Sequence, residues 1–131
     1  GFDYTRAAML LAVLEKRGGL LVSSCDAYIN VIGGLSLGEP AADLATILAV
    51  ASSMSGRPVP DELAAIGEVG LTGELRTVNA LDQRLAEVHR LGFTQCMLPA
   101  RNSRKLPELP GLRLIPVKNI REALDLLRNG I

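Results

Sequence analysis

The sequence predicts one mixed α/β domain, and three observations carry that prediction. Apolar residues recur at helical spacing in four stretches and form short strand-like runs in five others. Glycine and proline stand at most of the boundaries between them. The chain is 131 residues long and 48% hydrophobic, enough to build a core without a disulfide or metal staple.

The elements follow in order. From Thr5 to Lys16, Ala7, Leu10, Leu11 and Leu14 fall at helical spacing, and Gly18-Gly19 follows as a stop. Asp26 to Ile32 alternates and reads as a strand ended by Gly33-Gly34. Pro40 suits the first turn of a second helix, where its missing N–H costs nothing, and Asp43 in that turn complements the helix dipole. Leu44, Ile47, Leu48, Ala51 and Met54 form its apolar stripe. Alanines and serines on the other faces predict a central helix that lets neighbours approach closely.

Leu63 to Val69 and Glu74 to Val78 read as two strands joined in a hairpin through Gly70-Leu71-Thr72-Gly73. Asn79 is the expected N-cap of a third helix with Leu81, Leu85 and Val88 as its stripe, ended by Gly92. Cys96 to Leu98 is a short strand stopped by Pro99, a polar loop runs to Pro110, and Leu112 to Val117 is the last strand. Asn119 and Glu122 have capping-box spacing for a final helix with the stripe Ile120, Leu124 and Leu127, ended by Gly130. The order is α-β-α-β-β-α-β-β-α, a single domain over residues 1–131 with no repeat and no linker.

Composition excludes several function classes. Fourteen basic and fourteen acidic side chains cancel, and 21% of residues are charged, so the chain is neither a disordered polyelectrolyte nor a globally basic coat. The aromatic residues are Phe2, Tyr4, Tyr28 and Phe93, too few for a base-stacking platform. Cys25 and Cys96 lie outside any CxxC pattern and read as small buried hydrophobes in a reducing, cytoplasmic setting. His89 is the single histidine, which removes a multi-histidine metal site, and no cofactor is expected in this domain. No apolar run reaches the roughly 18 residues that span a bilayer. The chain opens on Gly1 rather than Met, so a domain of a longer protein is expected.

Nucleotide chemistry has no foothold. The P-loop pattern is absent, and no Gly-x-Gly-x-x-Gly follows a strand. His89, beside the stripe of the third helix, reads as a partly exposed helix residue rather than a triad base.

Three stretches then resemble a family: Asp26-Ala27-Tyr28-Ile29-Asn30-Val31-Ile32-Gly33-Gly34, Glu39-Pro40-Ala41-Ala42-Asp43-Leu44-Ala45 and Gly67-Glu68-Val69-Gly70-Leu71-Thr72-Gly73-Glu74-Leu75-Arg76. Arg84-Leu85, Arg90-Leu91-Gly92-Phe93 and Leu98-Pro99 continue it. Together they resemble the C-terminal Lon-protease-like domain of the bacterial RadA (Sms) recombination and repair proteins, over nearly the whole chain. The resemblance implies a mixed-sheet fold of the Lon proteolytic-domain-like, ribosomal-S5-domain-2-like type. It also implies zinc-finger and RecA-like ATPase portions elsewhere in the protein, so that any ATPase activity belongs outside these residues.

The resemblance supplies a chemical test as well. Active Lon-type peptidases use a Ser–Lys dyad in which a neutral lysine takes the serine proton. The serine lies in a Pro-Ser-Ala-Gly stretch, which here reads Pro40-Ala41-Ala42-Asp43, and the lysine follows Gly-Gly-Leu, which here reads Asn79-Ala80-Leu81-Asp82. The dyad positions are thus Ala41 and Asp82. Alanine offers no nucleophile and a carboxylate cannot stand in for an ammonium. No catalytic residue is expected, a residual serine peptidase being the enzymatic alternative. Lys16, Lys105 and Lys118 are the remaining lysines, none in a stretch apolar enough to be neutral.

What remains is binding and assembly. From Arg101 to Arg121 six basic residues face one acid, and from Asp61 to Glu74 four acids occur with no base. Such runs are either solvated surface, a phosphate-binding patch acting through counterion release, or complementary faces of a head-to-tail ring. The resemblance implies the last two: a hexameric ring that contacts single-stranded or branched DNA through the backbone during branch migration, with a recombinase as a further partner. Arg6, Arg76, Arg84, Arg101, Arg104 and Lys105 are the expected phosphate or ring contacts. Pure scaffolding without DNA is the other alternative. Ser36 stands where many relatives carry a basic residue, which would weaken one such contact.

Overall fold

The computed structural model describes residues 40–131 together with Met9, Ala12, Val13 and Arg17; for Ser103, Arg104 and Lys105 it describes the backbone. The expected strand at 26–32 lies outside the described residues, as does the expected first helix apart from Met9, Ala12 and Val13. These are helical, as is Arg17 just beyond it, and Val13 packs in the core.

Pro40–Ala42 makes one 3-10 turn that runs directly into α1 (Asp43–Ser55). The helix ends at Gly56, whose φ of 70° is the left-handed conformation glycine adopts without cost; its N–H closes on the Ser52 carbonyl. Leu44, Ile47, Leu48 and Ala51 are buried as the stripe predicts, and Thr46 and Val50 are buried with them. Burial wider than one stripe makes α1 the central helix, with Ala45, Ala49 and Ser53 on its solvent face and Ser55 exposed at its end.

The segment expected as one strand from Leu63 to Val69 is two. β1 (Leu63–Ala65) joins a three-stranded parallel sheet in the order β1-β4-β5, with β4 spanning Gln95–Pro99 and β5 Arg113–Val117. β2 (Glu68–Val69) pairs antiparallel with β3 (Leu75–Arg76) in a separate hairpin. The physical cause of the break lies far away in sequence. Ile66 donates to the Met97 carbonyl, the last rung of the parallel sheet. Gly67 then donates to the Ala41 carbonyl and accepts from the Leu44 N–H, so the backbone turns onto the entry of α1.

The hairpin forms as expected. Gly70 donates to the Glu74 carbonyl and Gly73 to the Gly70 carbonyl, and Glu74 Oε1 accepts from both the N–H and the hydroxyl of Thr72. A Cβ on residue 70 would have to displace the Glu74 carboxylate from its place over the turn. β3 is tied back to the end of β5, with Leu75 donating to Lys118 and Ile120 donating to Gly73.

α2 (Leu81–Arg90) begins differently from the expectation. Its N-cap is Ala80, at φ 53°, and no side chain caps it. The Asn79 side chain is instead taken by Arg84. The polar stretch after β4 holds a 3-10 helix, Ala100–Lys105. The last helix, α3 (Ile120–Asn129), starts as its spacing predicts: Asn119 Oδ1 accepts from the Glu122 N–H at 2.8 Å.

β4 is buried between β1 and β5 and alternates between two cores. Met97 faces a cluster with Leu44, Ile47, Leu75, Val117 and Ile120 beneath α1 and α3. Cys96 and Leu98 face a second cluster with Ala41, Ile66, Leu85 and Leu112 beneath α2. Helices on both faces of a parallel sheet demand a strand apolar on both sides, and Cys-Met-Leu supplies it. No described helix is long and apolar enough to cross a membrane.

Candidate functional site

Ala41 lies in the 3-10 turn at the mouth of α1, where its methyl is buried and its carbonyl is bonded by Gly67. Two residues on, Asp43 is 2% exposed and its Oδ2 accepts the Val69 N–H at 3.0 Å. Its carboxylate thus does more than complement the helix dipole. It fixes β2, and so the hairpin, to the start of α1.

Three adjoining cavities surround this point. Ala41 lines one of about 530 Å³ with Ala42, Ile66, Arg84 and Val88, and another of about 480 Å³ with Glu68, Thr77 and Asn79. Asp82 lines a third, of about 910 Å³, with Leu81, Arg101 and Asn102. Ala80 and Gln83 form the wall between Asp82's cavity and the first of Ala41's. The two positions therefore flank one wall without sharing a cavity.

The chain leading into that wall, Val78 and Asn79, is pinned by two side chains. Arg84 donates through Nε to the Asn79 carbonyl and through Nη2 to Asn79 Oδ1, both at 2.9 Å. Asn102 accepts from the Val78 N–H at 3.0 Å and returns a bond to the Val78 carbonyl. Asn102 and Gln83 were not legible as site residues, because nothing in a polar Ala-Arg-Asn-Ser run or a helix surface marks them locally. Their roles arise from contacts across the fold.

The expected cationic contacts are distributed unevenly. Arg101 is exposed and shares its cavity with Asp82. Arg76 is exposed on β3, with Nε 3.6 Å from Glu74 Oε2, and β3 packs against the 3-10 helix that carries Arg101, Arg104 and Lys105. Arg84 is bound to Asn79. Arg6 lies outside the described residues, as do the side chains of Arg104 and Lys105. The acidic run does not form one face. Asp61 and Glu62 stand where β1 begins, whereas Glu74 stands beside Asn119, past the end of β5.

Other polar groups are structural. His89 is half-buried and its Nε2 lies 2.8 Å from the Pro110 carbonyl. Cys96 is a free buried thiol, and burial pushes its pKa up from 9.0 to about 12, far from the range of a nucleophile. Among the described residues no three His, Cys, Asp or Glu side chains converge as a metal-ligand set.

This arrangement and the sequence define a class. The chain belongs to the Lon protease (S16) C-terminal proteolytic domain family, whose model matches residues 23–129. Within it, the chain is 46% identical to DNA repair protein RadA of Bacillus subtilis (strain 168) across 95% of its length. It is 44% identical to DNA repair protein RadA of Aquifex aeolicus (strain VF5) and 42% identical to that of Escherichia coli (strain K12). The chain spans 27–28% of the length of these relatives.

Proposed function

We propose that this is a non-proteolytic Lon-type domain that serves a DNA repair protein as a self-association scaffold and a DNA-backbone contact. On this reading, zinc-finger and RecA-like ATPase portions of the same protein drive branch migration, and the domain itself carries no cofactor. The observation that carries the reading is the mouth of α1. Ala41 has no nucleophilic atom, the carboxylate of Asp43 accepts the Val69 N–H, and residue 82 is acidic. A Ser–Lys mechanism has neither of its groups there. The free buried thiol of Cys96 fits a reducing, cytoplasmic setting.

For DNA contact the supporting feature is the exposed pair Arg76 and Arg101 on neighbouring elements, with Arg104 and Lys105 on the same 3-10 helix. Phosphate contacts of this kind orient without reading sequence. Pure scaffolding is the second reading, favoured by the internal engagement of Arg84 with Asn79 and of Arg76 with Glu74. A gel-shift series over rising salt separates the two. The DNA reading requires a shift at low salt that fades steeply as salt rises and that weakens in R101E. A mobility indifferent to DNA at every salt concentration leaves the scaffold alone.

A further inference from the structure

Four of the chain's five asparagines lie among the described residues, and three of these are engaged. Asn79 Oδ1 accepts from Arg84, Asn102 bonds both backbone groups of Val78, and Asn119 Oδ1 accepts the Glu122 N–H. Asn129 differs. It is the last residue of α3, it is exposed, and it bonds to nothing among the described residues through its carboxamide. It is also the one asparagine followed by a glycine.

Gly130 completes the setting. Inside a helix the N–H that follows an asparagine is tied to the carbonyl four residues before it, which keeps it from the side chain. At the end of α1 that tether persists, with the Gly56 N–H closing on Ser52. At the end of α3 the Gly130 N–H makes no bond among the described residues, and a φ of 93° carries the chain away from the helix. Residue 130 is exposed, and no atom stands within 4 Å of where a Cβ would project. A free carboxamide and a free backbone N–H are thus neighbours in open solvent.

We propose that Asn129 is a site of spontaneous deamidation in the folded chain. The Gly130 nitrogen gives its proton to hydroxide and attacks Cγ of Asn129. The new N–Cγ bond closes a five-membered succinimide, and the carboxamide nitrogen takes a proton from water and leaves as ammonia, which regenerates the hydroxide. Water then opens the ring at either carbonyl. One opening leaves an aspartyl residue. The other routes the main chain through the side chain and frees an α-carboxyl, the group that methyltransferases using S-adenosylmethionine esterify in isoaspartyl proteins. Glycine favours the closure because no Cβ crowds its nitrogen. The product carries one more negative charge than a chain whose formal net charge is zero. That charge arises at the negative end of the α3 dipole, next to the Arg128 carbonyl that Arg57 holds.

Incubation of the folded 131-residue chain at neutral and mildly alkaline pH, followed by charge-resolved chromatography and peptide mass spectrometry, tests this. A more acidic species one mass unit heavier should grow, faster at the higher pH, and accept a methyl group from S-adenosylmethionine through an isoaspartyl methyltransferase. Residue 129 should convert roughly tenfold or more faster than residues 79, 102 and 119, given its glycine neighbour. Asn129→Gln, which would need a six-membered ring, should abolish the species. Its persistence in Asn129→Gln would overturn the assignment. The same incubation in urea isolates what the fold contributes. Residues 79 and 102, released from Arg84 and Val78, should convert faster than in the folded chain, while residue 129 keeps nearly the same rate. A residue 129 that converts in urea and stays intact in the folded chain would show that α3 protects it, and would end the proposal.

Discussion

The carboxylate of Asp43 holds the backbone N–H of Val69, 26 residues further on, at 3.0 Å in a site closed to solvent. This single bond couples the first turn of the central helix to the hairpin strand. Asp43→Ala leaves a buried donor without its acceptor, which costs about 1–3 kcal/mol. Asp43→Asn keeps an acceptor oxygen and should recover much of that loss. Urea unfolding of the three chains measures both; equal midpoints for wild type and Asp43→Ala would refute the coupling.

Ala80 is the one non-glycine with positive φ among the described residues, and it stands where the family pattern has the second glycine of Gly-Gly-Leu-Lys. A Cβ in the left-handed region carries about 1 kcal/mol of strain. Ala80→Gly is therefore expected to stabilise the fold by up to about 1 kcal/mol, raising Tm by roughly 3–5 °C for a chain of this size. A lower Tm would mean that glycine's extra freedom in the unfolded chain outweighs the relieved strain.

The Thr72 hydroxyl on Glu74, helped by backbone N–H groups and Arg76, holds the Glu74 carboxyl below its usual 4.5. A depressed folded-state value gives stability that is fully present above pH 4.5 and is lost as pH falls towards the folded value. Thr72→Val removes the largest of these influences. The variant should be less stable than wild type at pH 7, and the gap should narrow as pH drops below about 4.5. Melting curves from pH 7 to 3 read this directly, and a constant gap would contradict it.

A hydroxyl placed at residue 41 should not by itself confer peptidase activity. In Ala41→Ser the hydroxyl gains no base, because residue 82 is an aspartate across the wall formed by Ala80 and Gln83. We expect no labelling by a fluorophosphonate probe and no cleavage of unfolded casein. Activity from the single substitution would show that another base serves the cleft.

Local signals made much of this fold legible. The stripe from Leu44 to Ala51, the Gly-Leu-Thr-Gly turn and the Asn119–Glu122 cap each depend on residues a few positions apart, and each stands where the sequence placed it. The break at Ile66–Gly67 was hidden because its cause is three bonds to Ala41, Leu44 and Met97, none of them near in sequence. Asn79 has the chemistry of a cap but is diverted by Arg84, a competition visible only in three dimensions. That residue 41 carries no nucleophilic atom is plain from the sequence. The separation of residues 41 and 82 into neighbouring cavities was not legible, since it depends on how Ala80 and Gln83 stand between them.

Gly67 lies where the two sheets part, and its N–H and carbonyl are both spent on the turn entering α1. Neither sheet can come loose there without the helix entry letting go, so the hairpin and the parallel sheet belong to one cooperative unit. Amide hydrogens of Ile66, Gly67 and Val69 should report a common opening free energy, that of global unfolding rather than of local fraying. The entry of α1 is in this way the joint through which load on one sheet reaches the other.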